Sequence, residues 1–219
     1  MIRDCTHLES LRGIGHLTYT HDVVLDQLPA LQSLAGWADT AQINNVSVTG
    51  CNAIQSLAGL PRAISSVQIK DNASLSSTAG LEQSALSNLE VDGNLALASL
   101  IGLPDQLAYL SVRRSPALQD LQGLENLTAL AGLTIQENTA LITLKGLEHV
   151  SAISMWLSVK SNAALTSLHG LSGLTTAPST LEITNNIVLP QCEVRWLANC
   201  INAPVGMNTD NGPEGVCEP

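Results

Sequence analysis

One motif recurs along almost the whole chain and constrains its fold more than any other feature. It reads Φ-x-Φ-x-x-N-x-x-L-x-S-L-x-G-L, where Φ is Val, Leu or Ile, and its copies begin 21 to 24 residues apart. Clear copies are VSVTGCNAIQSLAGL at Val46, LEVDGNLALASLIGL at Leu89 and LSVKSNAALTSLHGL at Leu157. With two weaker copies before Val46 and one that breaks off after Leu181, there are nine. Repeats of this length are typical of solenoids, in which each copy forms one turn.

The spacing within the motif predicts the shape of one turn. Φ-x-Φ is a short strand whose alternate side chains face inward, and the later leucines point inward from a second wall. The glycine before the last leucine gives the backbone freedom for a corner. We therefore predict a mainly β fold: a solenoid of about nine coils over residues 1–190, followed by a C-terminal cap over residues 191–219 with a short amphipathic helix at EVRWLANC.

The Asn position of the motif predicts a polar column inside the solenoid. Stacking brings the same position of every coil to one inner corner, where an amide can pair with backbone groups that the turn leaves unsatisfied. Five copies carry asparagine at this position: Asn72, Asn94, Asn138, Asn162 and Asn186. The other four carry Cys5, Leu28, Cys51 and Ser115. We predict a structural role for this column and no ligand.

Composition and motifs exclude several classes of function. The chain has 9 Lys+Arg against 19 Asp+Glu, a formal charge of −10, whereas nucleic acids and anionic membranes require a basic face. No apolar run approaches the ~18 residues of a membrane span. Zinc-ligand spacings and catalytic motifs are absent from the sequence, so we expect no metal, no cofactor and no catalysis. The five histidines are interpreted as surface residues, and TDNGPEG at 209–215 as a turn.

The repeated units from Val46 through Leu171 resemble the receptor L domain, an irregular leucine-rich β-solenoid. The closing segments LPQCEVRWLANC and DNGPEGVC are similar to the cysteine-bearing cap of bacterial L-domain-like surface proteins. The resemblance implies a right-handed solenoid, a secreted or cell-surface location, and recognition of a partner instead of catalysis. A signal peptide or anchor is then expected outside this sequence. No ligand follows from the resemblance.

The five cysteines fall into two groups. Cys5 and Cys51 occupy the inner column two coils apart, roughly 10 Å at strand spacing, which is too far for a disulfide. We expect both to be buried free thiols. In the cap, a bridge from Cys217 to Cys192 would hold the tail over the last coil and shield its open edge. Cys200 is the alternative partner of Cys217.

The outward side of the strands is the predicted binding face. Outward positions there include two of the few large aromatic residues, separated by a glycine that is expected to leave a shallow trough. Aromatic and arginine side chains dominate binding hot spots. The predicted site is Tyr109, Arg113, Gln136, Trp156 and Lys160, and the predicted ligand is a protein or a glycan. A structural spacer or envelope scaffold without a ligand is the alternative. A solenoid enzyme acting on polysaccharides is a more remote one, because acidic and basic residues are dispersed.

Overall fold

The Φ-x-Φ segments form nine strands of one parallel sheet, in chain order, in a computed structural model that describes residues 1–38, 40–203 and 210–215. The strands are β1 Ile2–Arg3, β2 Tyr19–Asp26, β3 Gln42–Thr49, β4 Ala63–Lys70, β5 Asn88–Asp92, β6 Tyr109–Arg113, β7 Ala129–Gln136, β8 Ala152–Lys160 and β9 Thr180–Thr184. Eight complete turns lie between the first strand and the last. The helix α1, Gln191–Cys200, follows the last turn. The predicted β-solenoid with a short C-terminal helix is confirmed.

The strand register stacks each copy of the motif on the next. Leu110 lies opposite Leu133, and Val112 lies opposite Ile135, so equivalent Φ residues form columns across the sheet. These inward residues are buried together with the leucines of the second wall, and the core is continuous from Leu11 to Ile201. Because every layer is built from Leu, Ile and Val, the solenoid needs no large ring in its interior.

Five strands are longer than the motif predicts. β2, β3, β4 and β7 have eight residues and β8 has nine, because the alternation of inward and outward side chains continues upstream of Φ-x-Φ. Ile64 in β4 and Leu130 in β7 are buried in this extension. The residues predicted only to close the coil therefore form part of the sheet there. β5 and β6 have five residues each, so the sheet is narrower at these two coils.

The asparagines stack in a column and join each coil to the one before it. The side-chain Oδ1 of Asn138 accepts the backbone N–H of Ser115 at 3.0 Å, and its Nδ2 donates to the carbonyl of Val112 at 3.0 Å. The backbone N–H of Asn138 in turn donates to Oδ1 of Asn162 at 3.1 Å. Asn138 and Asn162 are 0% exposed. The amide thus pairs with two backbone groups of the preceding coil that water cannot reach.

The tail extends this column beyond the last repeat. Oδ1 of Asn211 accepts the backbone N–H of Asn186 at 3.1 Å, and its Nδ2 donates to the carbonyl of Ile183 at 2.7 Å. Gly212 N–H also donates to the carbonyl of Asn186. The interpretation of residues 209–215 as a turn did not include this role: Asn211 does for the last coil what each column asparagine does for its neighbour. The motif could not reveal this, because Asn211 stands outside any repeat.

A left-handed residue precedes the column in every coil. Its φ lies between 47° and 70° in all nine cases: Asp4, Gln27, Gly50, Asp71, Gly93, Arg114, Glu137, Ser161 and Asn185. Only two of these are glycine, so the turn is imposed on residues that ordinarily avoid this conformation. The bend after the strand swings the following side chain into the interior. The side-chain types at this left-handed position vary too much for the sequence pattern to reveal the turn.

One prediction about the cysteines is wrong, and one lies outside the described residues. Cys51 is a buried free thiol, and its burial raises its pKa above the ordinary value. Cys5 is also free but exposed, since β1 pairs over only two residues and has a neighbouring coil on one side only. Cys200 is a free, exposed thiol. Residue 217 is not among the described residues, so the Cys192–Cys217 bridge stays a prediction.

Candidate binding face

The outward residues of β5 to β8 form three parallel columns, which we call the strand face. They are Asn88, Tyr109, Gly132 and Trp156 in the first column, Glu90, Ser111, Thr134 and Ser158 in the second, and Asp92, Arg113, Gln136 and Lys160 in the third. The register therefore places all five predicted binding residues on one side of the sheet. It also separates them: the two aromatics stand in the first column, and the other three residues stand in the third.

The two aromatic rings contact each other directly. Tyr109 and Trp156 are stacked, with ring centroids 5.2 Å apart and planes inclined by 16°. The indole lies over Gly132, where an added Cβ atom would overlap it. The predicted trough between the rings is therefore wrong, because the glycine lets the indole lie against the sheet. The indole N–H donates to Oγ1 of Thr134 at 3.2 Å, which fixes the ring's orientation.

A bulge in β8 positions Trp156. Leu130 pairs with Ile153, but Gly132 pairs with Trp156, so β8 contains one more residue than β7 between these pairs. Bulges of this kind redirect side chains and recur beside functional sites. The extra length also exposes Met155, whose sulfur accepts a hydrogen bond from the hydroxyl of Tyr109 at 3.4 Å. Tyr109, Met155 and Trp156 together make an apolar ridge. The motif predicts that its two rings share one face, but it does not predict their direct contact or the part of Met155.

A groove of about 400 Å³ borders the ridge on the side of β4 and β5. Asn88, Tyr109, Ser111 and Arg113 are among the residues that line it. Three residues that line its floor each have one polar atom that is buried and without a hydrogen-bond partner among the described residues: Oδ1 of Asn88, Oγ of Ser111 and Nε of Arg113. Such atoms are rare in folded proteins, and here all three belong to adjacent strands of one face. Sequence reasoning named Arg113 but not Asn88 or Ser111.

Arg113 differs from three other cations on the outer side of the sheet, because those three form ion pairs with carboxylates. Nζ of Lys70 lies 3.2 Å from Glu90, and Nζ of Lys160 lies 2.5 Å from Glu182. The guanidinium of Arg114 lies 2.6 Å from Asp92, and this hydrogen bond raises the pKa of Arg114. Within the described part of the chain, Arg113 has no carboxylate at ion-pairing distance.

The predicted residues therefore differ in their availability. Gln136 donates to the carboxylate of Glu137 at 2.6 Å, and Lys160 is held by Glu182. Tyr109, Trp156 and Arg113 border the groove. These three residues, with Asn88 and Ser111, form the candidate site.

A second cavity of about 800 Å³ adjoins the groove where β5 and β6 are short. It is lined by residues 84–87, residues 104–108, Thr128 and Ala129. We call this second cavity the notch. Ser87 and Ala108, which line the notch, are the chain neighbours of Asn88 and Tyr109, which line the groove.

Titratable clusters elsewhere are small. All five histidines are exposed. His169 packs on Trp196 with ring centroids 4.3 Å apart, and its Nε2 lies 3.4 Å from Glu193 of α1. The carboxylate of Glu193 also accepts the backbone N–H of Leu168 at 2.7 Å, which attaches the cap helix to the last coils. No group of three or more His, Cys, Asp or Glu suited to a metal ion occurs among the residues described.

In the described part of the chain, every helix is too short or too polar to span a bilayer. Comparison of the chain with protein-family models, with curated proteins and with solved structures found no match.

Proposed function

We propose that this chain is a non-catalytic recognition module that binds a protein or glycan partner through the strand face. The observation that carries the proposal is the coincidence of three unpartnered buried polar atoms with a stacked aromatic pair beside one groove. No metal or cofactor is part of the proposal. Gln136 and Lys160 flank the site in this scheme and contribute less than Tyr109, Trp156 and Arg113.

Unpaired polar atoms are energetically costly in a folded protein. A buried donor or acceptor without a partner costs about 1–3 kcal/mol. Elsewhere in this solenoid such costs are avoided, as the asparagine column pairs backbone groups from coil to coil. Asn88, Ser111 and Arg113 sit on the outer side of the sheet, where many side chains would satisfy packing alone. A few polar groups placed beside aromatic side chains in a groove are typical of a preformed binding surface.

The family and location belong to the same proposal. The repeated motif, the column of asparagines and the helical cap support membership of the receptor L-domain-like solenoids. Such a chain would act at the cell surface or as a secreted protein. The predicted Cys192–Cys217 bridge fits an oxidising compartment.

The alternative proposal, a structural spacer without a ligand, has one observation in its favour. Trp156 packs on Gly132 and donates to Thr134, so the ring also has contacts that a scaffold would need. A spacer would work equally well with other residue types in place of Tyr109 and Arg113. An enzyme acting on polysaccharides would need free acids or bases in the groove, and Glu90 there is paired with Lys70.

The test compares wild type with the Tyr109→Ala/Trp156→Ala double variant on immobilised panels of glycans and of extracellular proteins. We expect wild type to retain at least one partner and the double variant to lose about 2 kcal/mol or more of binding free energy, the loss typical of an anchoring ring. Tyr19→Ala is the matched control, because Tyr19 is 65% exposed on β2, away from the groove. Equal retention of every partner by wild type and double variant would leave the spacer as the better account.

A further inference from the structure

We infer that the strand face binds an acidic oligosaccharide, with one pyranose ring against Tyr109 and a sugar carboxylate on Arg113. The inference rests on the proposed function and specifies its ligand. It names a chemical class, uronic-acid chains, and a position for each of two sugar units along β6.

The ring position follows from the geometry of the aromatic pair. One face of Tyr109 is covered by Trp156, and the residue is half-buried at the wall of the groove. The opposite ring face is then presented to the groove. An aromatic face is electron-rich and attracts polarised C–H bonds. A pyranose offers a flat array of such bonds on one side and hydroxyl groups around its rim, so it suits an aromatic wall above a polar floor.

The floor supplies groups of both hydrogen-bonding kinds. Oδ1 of Asn88 is an acceptor, Nε of Arg113 is a donor, and the hydroxyl of Ser111 is both. Rotation about a single bond turns the Ser111 hydroxyl or the Asn88 amide toward the groove. Sugar hydroxyls also donate and accept, so they can pair with the turned Ser111 hydroxyl and Asn88 amide. An apolar ligand could pair with neither group.

The expected negative charge of the ligand follows from Arg113. Its guanidinium has no ion-pairing carboxylate among the residues described, and two acids of the face are already paired, Glu90 with Lys70 and Asp92 with Arg114. Arginine binds carboxylates through two parallel N–H···O bonds, which gives both strength and orientation. An acidic substituent on the ligand would be the missing partner, despite the net negative charge of the chain.

The length of the site argues for more than one sugar. Tyr109 and Arg113 are four residues apart on one strand, or roughly 13 Å at strand rise, and Ser111 lies midway. A ring on Tyr109 and a carboxylate on Arg113 therefore belong to different units of one chain. In the other direction the chain neighbours of Asn88 and Tyr109 line the notch, which offers space for further sugar units.

A peptide fits this surface less well. Peptides commonly bind a sheet by adding a strand at a free edge. β5 and β6 are paired on both sides, so their backbone groups are already used. A peptide would have to rely on side chains alone.

The experiment is titration calorimetry of the whole chain with tetrasaccharides of galacturonate, mannuronate and glucuronate, each beside its carboxyl-reduced, neutral form. We expect at least one acidic tetramer to bind, and its neutral form to bind about tenfold more weakly or worse, as for loss of a charge-assisted pair. Arg113→Met and Tyr109→Ala should each weaken binding by a similar factor. Lys145→Met is the matched control, because it removes one exposed positive charge from a coil corner away from the strand face.

Thermal unfolding of each variant checks that it is folded. Arg113→Lys keeps the positive charge but cannot form two parallel hydrogen bonds, so its affinity should lie between those of wild type and Arg113→Met. Absence of binding by all three acidic tetramers, or equal binding of acidic and neutral forms, overturns the inference. If a hexaglutamate peptide binds instead, and needs Tyr109 and Arg113, the sugar is wrong while the binding face stands. If neither the sugars nor the panels yield a partner, both proposals fail.

Discussion

At the scale of single residues, the interior of this solenoid distinguishes groups by what they can bond and not only by their size. Each column asparagine serves a backbone N–H and a carbonyl of the preceding coil. Ser115, at the same position, is too short for this, and its hydroxyl donates to the carbonyl of Arg113 in its own coil at 3.2 Å. The column therefore tolerates a smaller residue, but with fewer bonds between coils.

We predict that Asn138→Leu lowers the free energy of unfolding by about 1–3 kcal/mol, because the backbone N–H of Ser115 and the carbonyl of Val112 lose their partner while staying buried. Chemical denaturation measures the change. Asn126→Leu is the control, since Asn126 is exposed and its side chain donates to the exposed carboxylate of Asp105. Matching stability of the Asn138 variant and wild type would show that the amide fills space and nothing more.

At the scale of the element, one coil is a strand, a left-handed corner and a second wall, and the sequence reveals these parts unequally. The strand and the wall are visible because apolar side chains mark them at fixed spacing. The corner is invisible because its requirement is a backbone angle, met by residues as different as Arg114 and Gly93. The bulge in β8 is hidden for a similar reason: one added residue changes which side chain faces out without disturbing the apolar pattern. The ring contact at the candidate site depends on that bulge.

The left-handed corner leads to a prediction about stability at Glu137, whose φ is 57° and whose side chain is exposed. Glycine adopts this conformation freely, whereas a β-branched residue is strained there. We expect Glu137→Gly to be more stable than Glu137→Val by about 1–2 kcal/mol in thermal or chemical unfolding. At the neighbouring outward strand position, Gln136, the order should invert, with valine more stable than glycine. The same order at both positions would contradict the assigned corner.

At the scale of the whole molecule, the solenoid is a stack in which the strands pair only with their neighbours in chain order. The periodic motif was sufficient to predict this stack, because repetition alone dictates which residues meet. The site could be predicted only in part: the face and its aromatics followed from the register. The unpartnered atoms of Asn88 and Ser111 depend on side-chain packing between coils, which no spacing rule describes.

The two ends of the stack differ in how much neighbouring structure covers them. β1 pairs with β2 only at Leu25 and Asp26, whereas the last coil is covered by α1 and residues 210–215. In stacked repeats, stability is transmitted between neighbours, so a coil with one neighbour opens most easily. We predict that amide hydrogens of β1 and β2 exchange fastest and those of β6 to β8 slowest, as measured by hydrogen–deuterium exchange with mass spectrometry. Uniform exchange along the chain would instead indicate one all-or-none unfolding unit.

The asparagine column has a direction, and this matters while the protein is being made. Every column asparagine reaches back to the coil that precedes it, so the corner of that coil stays incomplete until this asparagine has left the ribosome. Wherever an asparagine follows, a growing solenoid would then carry an incomplete corner at its newest turn, which the next repeat completes. When the last repeat has emerged, Asn211 arrives from the tail and completes the final corner without a further coil.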